Sequence, residues 1–134
     1  MNEVLQPEGW ARPRGYANGI VARGRQVFIA GQIGWDGQCQ FHTDTLAGQL
    51  RQVLQNIVAV LAEAGGRPEH LVRLTWYITS RDEYNAELRE IGAAYREIIG
   101  RNFPVMAVVQ VVALIEARAK VEIEATAVIP DETG

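Results

Sequence analysis

The feature that most constrains the fold is an apolar stretch, VMAVVQVV, which covers residues 105–112 and follows Pro104. Its only polar side chain is Gln110, so both of its alternating faces are apolar. A β-strand with two apolar faces has to be covered on both sides. Met106 places a thioether near the start of this strand. The chain therefore needs a covering layer on each side of a sheet.

Composition limits the classes of protein to consider. A length of 134 residues predicts one domain, spanning residues 1–134. The net charge of −3 and the lack of a basic stretch argue against nucleic acid or an anionic membrane as a partner. Cys39 is the only cysteine, which excludes an internal disulfide and a multi-thiolate metal site, and we expect no metal. The sequence shows no signal-peptide pattern and no apolar run of about 18 residues, so we expect a cytoplasmic protein.

The N-terminal quarter is predicted to hold a β-hairpin. Residues 1–14 are rich in proline, glycine and arginine, so we expect an irregular segment there. Residues 20–34 consist of two β-rich runs that meet at Arg23-Gly24-Arg25. This pattern predicts two strands joined by a turn.

A first helix is predicted from Leu46 to Leu61, because apolar residues recur there at helical spacing. Thr43 or Asp44 is the expected N-cap, since each can accept a hydrogen bond from a free backbone amide. Gly65-Gly66 is expected to end the helix.

Two strands and a second helix complete the pattern. LVRLTWYIT, residues 71–79, alternates apolar and polar side chains, which predicts a half-buried strand. Ser80 and Glu83 form a capping-box pattern, and the helix that follows is expected to end at Gly100. KVEIEATAVI, residues 120–129, predicts the last strand.

The element order is therefore β-β-α-β-α-β-β, an α+β fold with a mixed sheet and two helices on one face. Two amphipathic helices can cover only one face of such a sheet. The other face must be buried by another copy of the chain, so we expect an oligomer.

Two groups of residues are candidates for chemistry. Glu122 and Glu124 lie on one face of the last strand, either as a solvated pair or with one carboxylate acting as a general acid or base in a pocket. Gly15-Tyr16 and Ala30-Gly31-Gln32 flank the predicted hairpin, and Gly31 indicates either close backbone approach to a ligand or a bulge. His42, His70 and Cys39 are interpreted as surface residues.

Five segments in this order and spacing resemble the Rid family (YjgF type, also labelled endoribonuclease L-PSP): GYANGIVARGRQVFIAGQI, RQVLQNIVAVLAEAGG, LVRLTWYIT, FPVMAVVQVVAL and VEIEATAVI. The resemblance extends over roughly residues 15–129. It implies a chorismate-mutase-like fold and a homotrimer, in which three sheets form a central barrel with ligand clefts between subunits. It also implies hydrolysis of reactive imines and enamines without a cofactor.

The resemblance further implies roles for individual residues. Tyr16 falls on the family's pocket tyrosine, Gly31 on the glycine whose backbone faces the ligand, and Glu124 on the glutamate that positions the attacking water. The family's Pro-x-Arg pattern keeps its proline here, but Met106 stands where the arginine grips a substrate carboxylate. Ala30 likewise replaces a small hydroxyl residue. A thioether cannot pair with a carboxylate, so the resemblance places this chain in a divergent subgroup.

Three functions follow from these observations. The favoured hypothesis is a Rid-like deaminase or hydrolase with altered specificity for a small C=N or enamine compound, with the aminomuconate-deaminase type as one candidate. Arg14 or Arg101 would then meet any anionic group of the substrate. The alternative is a trimer that binds a small ligand or a partner protein without turnover. Ribonuclease is the least favoured function, because the chain is acidic and has no basic groove.

Overall fold

The computed structural model of the protein describes residues 2–131. Met1 and residues 132–134 lie outside this range, so the expectation for segment 1–14 is compared from Asn2 onward. The elements are β1 (Glu3–Leu5), β2 (Gly19–Val21), β3 (Arg25–Ile33), α1 (Leu46–Glu63), β4 (Leu71–Ile78), α2 (Arg81–Ala86), α3 (Leu88–Ile98), β5 (Val105–Gln110) and β6 (Val121–Ile129), with a 3-10 turn at Pro68–His70 before β4.

The main sheet has four strands in the order β3-β6-β4-β5. β6 pairs antiparallel with both β3 and β4, whereas β4 and β5 are parallel. Parallel neighbours require a crossover, and α2 and α3 supply it between β4 and β5. The result is the mixed sheet of an α+β fold, as the sequence predicted.

The helices cover one face of this sheet. α1 packs on β3 and β6, and α3 packs beside α1. The core between helices and sheet is fully buried at Leu50, Ile57 and Leu74. Among residues 2–131 Gln49 is the one buried polar side chain. It donates to two backbone carbonyls, Thr43 O and Arg118 O, and accepts from Lys120 N, so its hydrogen-bonding groups are satisfied. These bonds fix the loop before β6 against α1. No helix between residues 2 and 131 is long and apolar enough to cross a bilayer.

The second face of the sheet, here called the open face, carries no helix. The side chains that strand register places on this face include Phe28, Arg73, Thr75, Tyr77, Val105, Ala107, Val109, Glu122, Glu124 and Thr126. In the single chain Phe28 is 74% exposed and Val109 is 43% exposed. The cover that the sequence requires on this side is thus not provided by residues 2–131 of the same chain, and its source stays a prediction.

The N-terminal region differs from the sequence-based expectation. Glu3–Leu5 forms a strand instead of an irregular segment, and this strand pairs antiparallel with β2. All three of its residues are exposed, so its sequence has no alternation of buried and exposed positions that would predict a strand. The strand forms by pairing with β2. The predicted hairpin is also wrong, because β2 and β3 belong to different sheets. Ala17 bonds the backbone of Pro104 and draws β2 toward β5, whereas β3 follows β6.

The N-cap of α1 is Thr45 and not Thr43 or Asp44. The Thr45 side chain accepts from Gly48 N at 3.0 Å. Thr43 Oγ1 instead accepts from the backbone of Thr45, and Asp44 pairs with Arg118 at 2.8 Å. Both expected caps are therefore occupied by other partners.

The second helix is divided at Glu87, where the sequence predicted one continuous helix. Glu87 has φ −109° and ψ 18°, between α2 and α3. Its carboxylate accepts from Ala47 N, a free amide in the first turn of α1, at 2.9 Å. This long-range cap draws Glu87 out of helical geometry. Ser80 caps α2 by accepting from Glu83 N, as expected.

Candidate functional site

Glu124 lies on the open face near the middle of β6. Ile123 and Ala125, its neighbours in sequence, point into the core, so the strand pleat turns Glu124 outward. On the adjacent strand β4, Tyr77 projects from the same face. The Tyr77 hydroxyl donates a hydrogen bond to Glu124 Oε1 at 2.7 Å. This bond fixes the orientation of the carboxylate.

The bond also changes the acidity of the tyrosine. The hydrogen bond to Glu124 raises the pKa of Tyr77 above its ordinary value, and desolvation and the negative charges of Glu124 and Glu122 raise it further. Tyr77 therefore stays protonated and keeps donating at neutral pH. Glu124 Oε2 has no hydrogen-bond partner within residues 2–131 and is free to hold a water molecule.

Glu124 lines a depression of about 270 Å³ on the open face. Arg73 and Thr75 of β4 form its second wall. The remaining lining residues come from β3 and β6: Phe28, Ile29, Ala125 and Thr126. The depression thus holds a carboxylate, a hydroxyl and a guanidinium, which can orient a water molecule beside an anionic group.

Ala30 and Gly31 form a bulge in β3. The register passes from Ile29 opposite Ala125 to Gln32 opposite Ile123, so two residues of β3 face the single residue Glu124. A side chain at position 31 would place its Cβ 2.3 Å from Glu122 Oε2. The Glu122 carboxylate therefore packs on the bulge, and a larger residue at position 31 would require this side chain to move. Contact of Gly31 and Ala30 with a ligand stays a prediction.

Tyr16 and Arg101 lie together in a different groove. This groove runs between the N-terminal segment and the turn before β5, and Arg12 and Phe103 also line it. Arg14 is exposed and does not line the groove. Within one chain the predicted site residues are thus divided between two places, with Tyr16 and Arg101 in the groove and Glu124 in the depression.

Met106 is half-buried at the start of β5. It lies beside Leu74 and packs against the helix-covered core. Its neighbours in sequence, Val105 and Ala107, point to the open face beside Arg73 and Thr75. The prediction that Met106 lines a ligand site is not tested by this packing.

Sequence reasoning missed Tyr77 as the hydrogen-bond partner of Glu124, and Arg73 and Thr75 as its neighbours on the adjacent strand. The alternation in LVRLTWYIT placed the three on one face of a strand, and that signal was present. The pairing of β4 with β6 was not readable from the sequence, and it is this pairing that sets Thr75 opposite Glu124.

The other titratable candidates lie elsewhere. His42 Nε2 is 2.6 Å from Asp36 Oδ2 in an exposed loop, and this bond, with backbone amides of Gln40 and Gln38, lowers the pKa of Asp36. His70 Nδ1 accepts from Arg67 N in the turn before β4. In the described part of the chain no three His, Cys, Asp or Glu side chains are arranged to hold a metal ion.

Comparison with known proteins gives consistent matches. Residues 11–129 match the family described as Endoribonuclease L-PSP. A RutC family protein from Pyrococcus horikoshii is 32% identical over 128 residues, which cover 95% of this chain and 98% of that protein. Human 2-iminobutanoate/2-iminopropanoate deaminase is 30% identical over 105 residues, covering 78% of this chain and 73% of that protein.

Solved structures agree. YyfB of Yersinia pestis, a protein of unknown function in the conserved Rid protein family, has a TM-score of 0.84 at 30% identity and covers 96% of this chain and 98% of that one. The family match spans most of the 134 residues, and the fold agrees with it. The expected family is thereby confirmed: the chain belongs to the endoribonuclease L-PSP family, also called the Rid or YjgF family.

Proposed function

We propose that the protein is a small-molecule deaminase or hydrolase that acts on an imine or enamine, with a specificity different from that of arginine-bearing family members. The observation that carries this proposal is the hydrogen bond from Tyr77 to Glu124 in a depression on the open face. It leaves one carboxylate oxygen available to a water molecule. The name of the human relative, an imine deaminase, supports the same reaction class. An aminomuconate-deaminase-type substrate is one candidate.

The chemistry needs only water and the residues of the site. Glu124 Oε2 accepts a proton as the water oxygen adds to the carbon of the protonated C=N bond, which gives a neutral carbinolamine. The same carboxyl group returns the proton to the nitrogen. The C–N bond then breaks, ammonia leaves, and the oxygen becomes a carbonyl as its proton is released. No cofactor takes part in this sequence.

The altered specificity rests on Met106 and Ala30. The family resemblance places a carboxylate-binding arginine at position 106, and a thioether cannot replace its charge. Loss of such a pair should cost about 2–5 kcal/mol of binding to a small imino acid. We therefore expect slower hydrolysis of 2-iminopropanoate than by an arginine-bearing family member. From the sequence, Arg14 and Arg101 are the candidate replacement cations, and of these Arg101 lines the groove with Tyr16.

The proposal includes assembly as a homotrimer in the cytoplasm. The open face exposes Phe28 and Val109, which favours burial against other copies of the chain. Tyr16 and Glu124 occupy different depressions of one chain. A cleft between subunits would bring the Tyr16 groove of one copy to the Glu124 depression of another.

A second candidate is a trimer that binds a small ligand without turnover. It is favoured by one observation, the packing of Met106 against the core at the position of the expected arginine. Ribonuclease remains the least favoured function because the net charge is −3.

The experiment is a panel of imines generated in situ from L-amino acids by an amino-acid oxidase, with the rate of 2-oxo acid formation as the readout. We expect acceleration for at least one imine by the wild type and its loss in Glu124→Gln. Absence of acceleration throughout the panel, with ligand binding retained, would support the second candidate.

A further inference from the structure

Arg73 is an unusual residue for its place in the sheet. It lies on β4, which has a strand on each side, and it projects from the open face. No carboxylate between residues 2 and 131 forms an ion pair with it. An arginine on the face of a central strand loses water when that face is covered, and it then needs an anionic partner.

The register places this guanidinium close to Glu124. Arg73 lies opposite Thr126 of β6, and Thr75 lies opposite Glu124. Arg73 and Glu124 are thus diagonal neighbours on one face, at a typical separation of about 7–8 Å between Cα atoms. Tyr77 is the diagonal neighbour on the other side and holds Glu124 Oε1. The carboxylate is therefore turned to the tyrosine while the arginine remains unpaired beside it.

Arg73 also borders a second concave surface. Besides the Glu124 depression, it lines a smaller one with Val105, Met106 and Ala107 at the start of β5. A guanidinium at the boundary of these two surfaces can reach an anion in either one. It can bind a carboxylate with two parallel hydrogen bonds, a geometry that lysine cannot provide.

We propose that Arg73 is the specificity-determining cation of the site and binds the carboxylate of an anionic imine or enamine whose C–N carbon lies beside Glu124. This inference rests on the proposed function and adds to it the residue that recognises the charge of the substrate. It assigns charge recognition to a residue of the open face, and not to Arg14 or Arg101. Arg73 lines the depression that contains Glu124 within a single chain, whereas Arg14 and Arg101 do not.

The test compares a charged probe with its neutral counterpart. Binding of 2-oxobutanoate and of 2-oxobutanamide is measured by titration NMR for wild type, Arg73→Gln and Arg73→Lys. We expect Arg73→Gln to weaken 2-oxobutanoate binding about 10- to 100-fold and to leave the amide unchanged, as for loss of hydrogen bonds to a charged group. Arg73→Lys should retain part of the preference for the acid. Arg89→Gln, which removes an exposed arginine of α3, is the matched control and should bind both probes as wild type does.

Three results would overturn the proposal. The first is an unchanged preference for the acid in Arg73→Gln. The second is loss of this preference in Arg14→Gln or Arg101→Gln alone, which would assign the charge to that arginine. The third is a lower thermal stability of the oligomer in Arg73→Gln with normal probe binding, which would show that Arg73 pairs with a carboxylate of another copy.

Imine turnover of the wild type separates failure of this inference from failure of the proposed function. If the wild type hydrolyses imines while Arg73→Gln keeps its preference for the acid, only the assignment of Arg73 fails. If the wild type neither hydrolyses an imine nor binds 2-oxobutanoate, both proposals fail together.

Discussion

At the scale of single residues, the Tyr77–Glu124 pair decides whether the open face can catalyse a reaction. A glutamate on plain solvent-exposed strand surface would sample many rotamers, whereas Glu124 is held at one oxygen by a 2.7 Å bond. The free oxygen then has a defined direction. A general base contributes only when it lies within hydrogen-bond reach of the proton that it accepts.

Glu124→Gln keeps the shape of the side chain and removes the base. We expect turnover of an identified substrate to fall about 100-fold or more, because general-base catalysis contributes that much. The oligomeric state should not change, since glutamine keeps the shape of the side chain and removes its charge. Steady-state kinetics and light scattering provide the two measurements. Unchanged turnover in an intact oligomer would show that Glu124 is an ordinary surface residue.

Tyr77→Phe tests the positioning role of the tyrosine. The ring is kept and the hydroxyl that donates to Glu124 is lost. We expect kcat to fall roughly tenfold, as for loss of one hydrogen bond to a charged group, with little change in KM. The pH profile of kcat should also shift in this variant, which a merely structural tyrosine would not cause. A raised KM at constant kcat would instead indicate that Tyr77 contacts the substrate.

The contribution of the Tyr77–Glu124 hydrogen bond to stability depends on pH. The pKa of Tyr77 is raised above 10.0 in the folded protein, so the unfolded chain ionises first as the pH increases. The contribution of the bond to stability is therefore fully present below pH 10 and is lost as the pH rises through the folded-state pKa. The difference in unfolding free energy between wild type and Tyr77→Phe should be constant from neutral pH to about pH 9 and decline above pH 10. Urea titrations across this range measure it.

These residues also show what the sequence could predict of the site. Strand alternation indicated Glu122 and Glu124 as a pair, the family resemblance selected Glu124 from it, and the role of Glu124 stays a prediction. Tyr77 and Arg73 were placed on one face of their strand by the same alternation, but their link to Glu124 depends on the pairing of β4 with β6. Strands that are distant in sequence pair by tertiary packing, and no local pattern specifies that partner.

At the scale of elements, the sequence predicted correctly those features whose interacting groups lie close together in the chain. The structure confirms three such predictions: α1 ends just before Gly65-Gly66, Ser80 caps α2, and β6 alternates buried and more exposed side chains from Val121 to Ala127. The predicted hairpin, the helix break at Glu87 and the N-cap of α1 were wrong. A distant group takes part in the first two cases, Pro104 for Ala17 and Ala47 for Glu87. At the N-cap of α1, the distant Arg118 pairs with Asp44, whereas Thr43 accepts from the local amide of Thr45.

The N-cap of α1 gives a test at this scale. Thr45→Ala removes the acceptor for Gly48 N and should lower the unfolding free energy by about 1 kcal/mol. Asp44→Ala is the matched control, because it removes only an exposed ion pair with Arg118 and should cost less than about 0.5 kcal/mol. Chemical denaturation measures both values. A larger loss of unfolding free energy in Asp44→Ala than in Thr45→Ala would show that Asp44 is the N-cap of α1, as the sequence predicted.

At the scale of the whole molecule, two exposed valines distinguish the faces of the chain. Val109 lies on the open face and is 43% exposed, and Val60 lies on the outer side of α1 and is 42% exposed. In an isolated chain the two positions would tolerate a charge equally well. If the open face is buried between copies, Val109→Glu places an unpaired carboxylate in an apolar interface, which is unfavourable by several kcal/mol for each copy.

We therefore expect the wild type and Val60→Glu to scatter light as particles of about three times the 14.8 kDa chain mass, and Val109→Glu to dissociate at micromolar concentration. Imine turnover should be lost together with assembly in Val109→Glu, because Tyr16 and Glu124 lie in separate depressions of one chain. A Val109→Glu trimer as stable as that of Val60→Glu would contradict burial of the open face. A folded monomer with full turnover would show that the Glu124 depression is complete within one chain, and the proposed cleft between subunits would then be wrong.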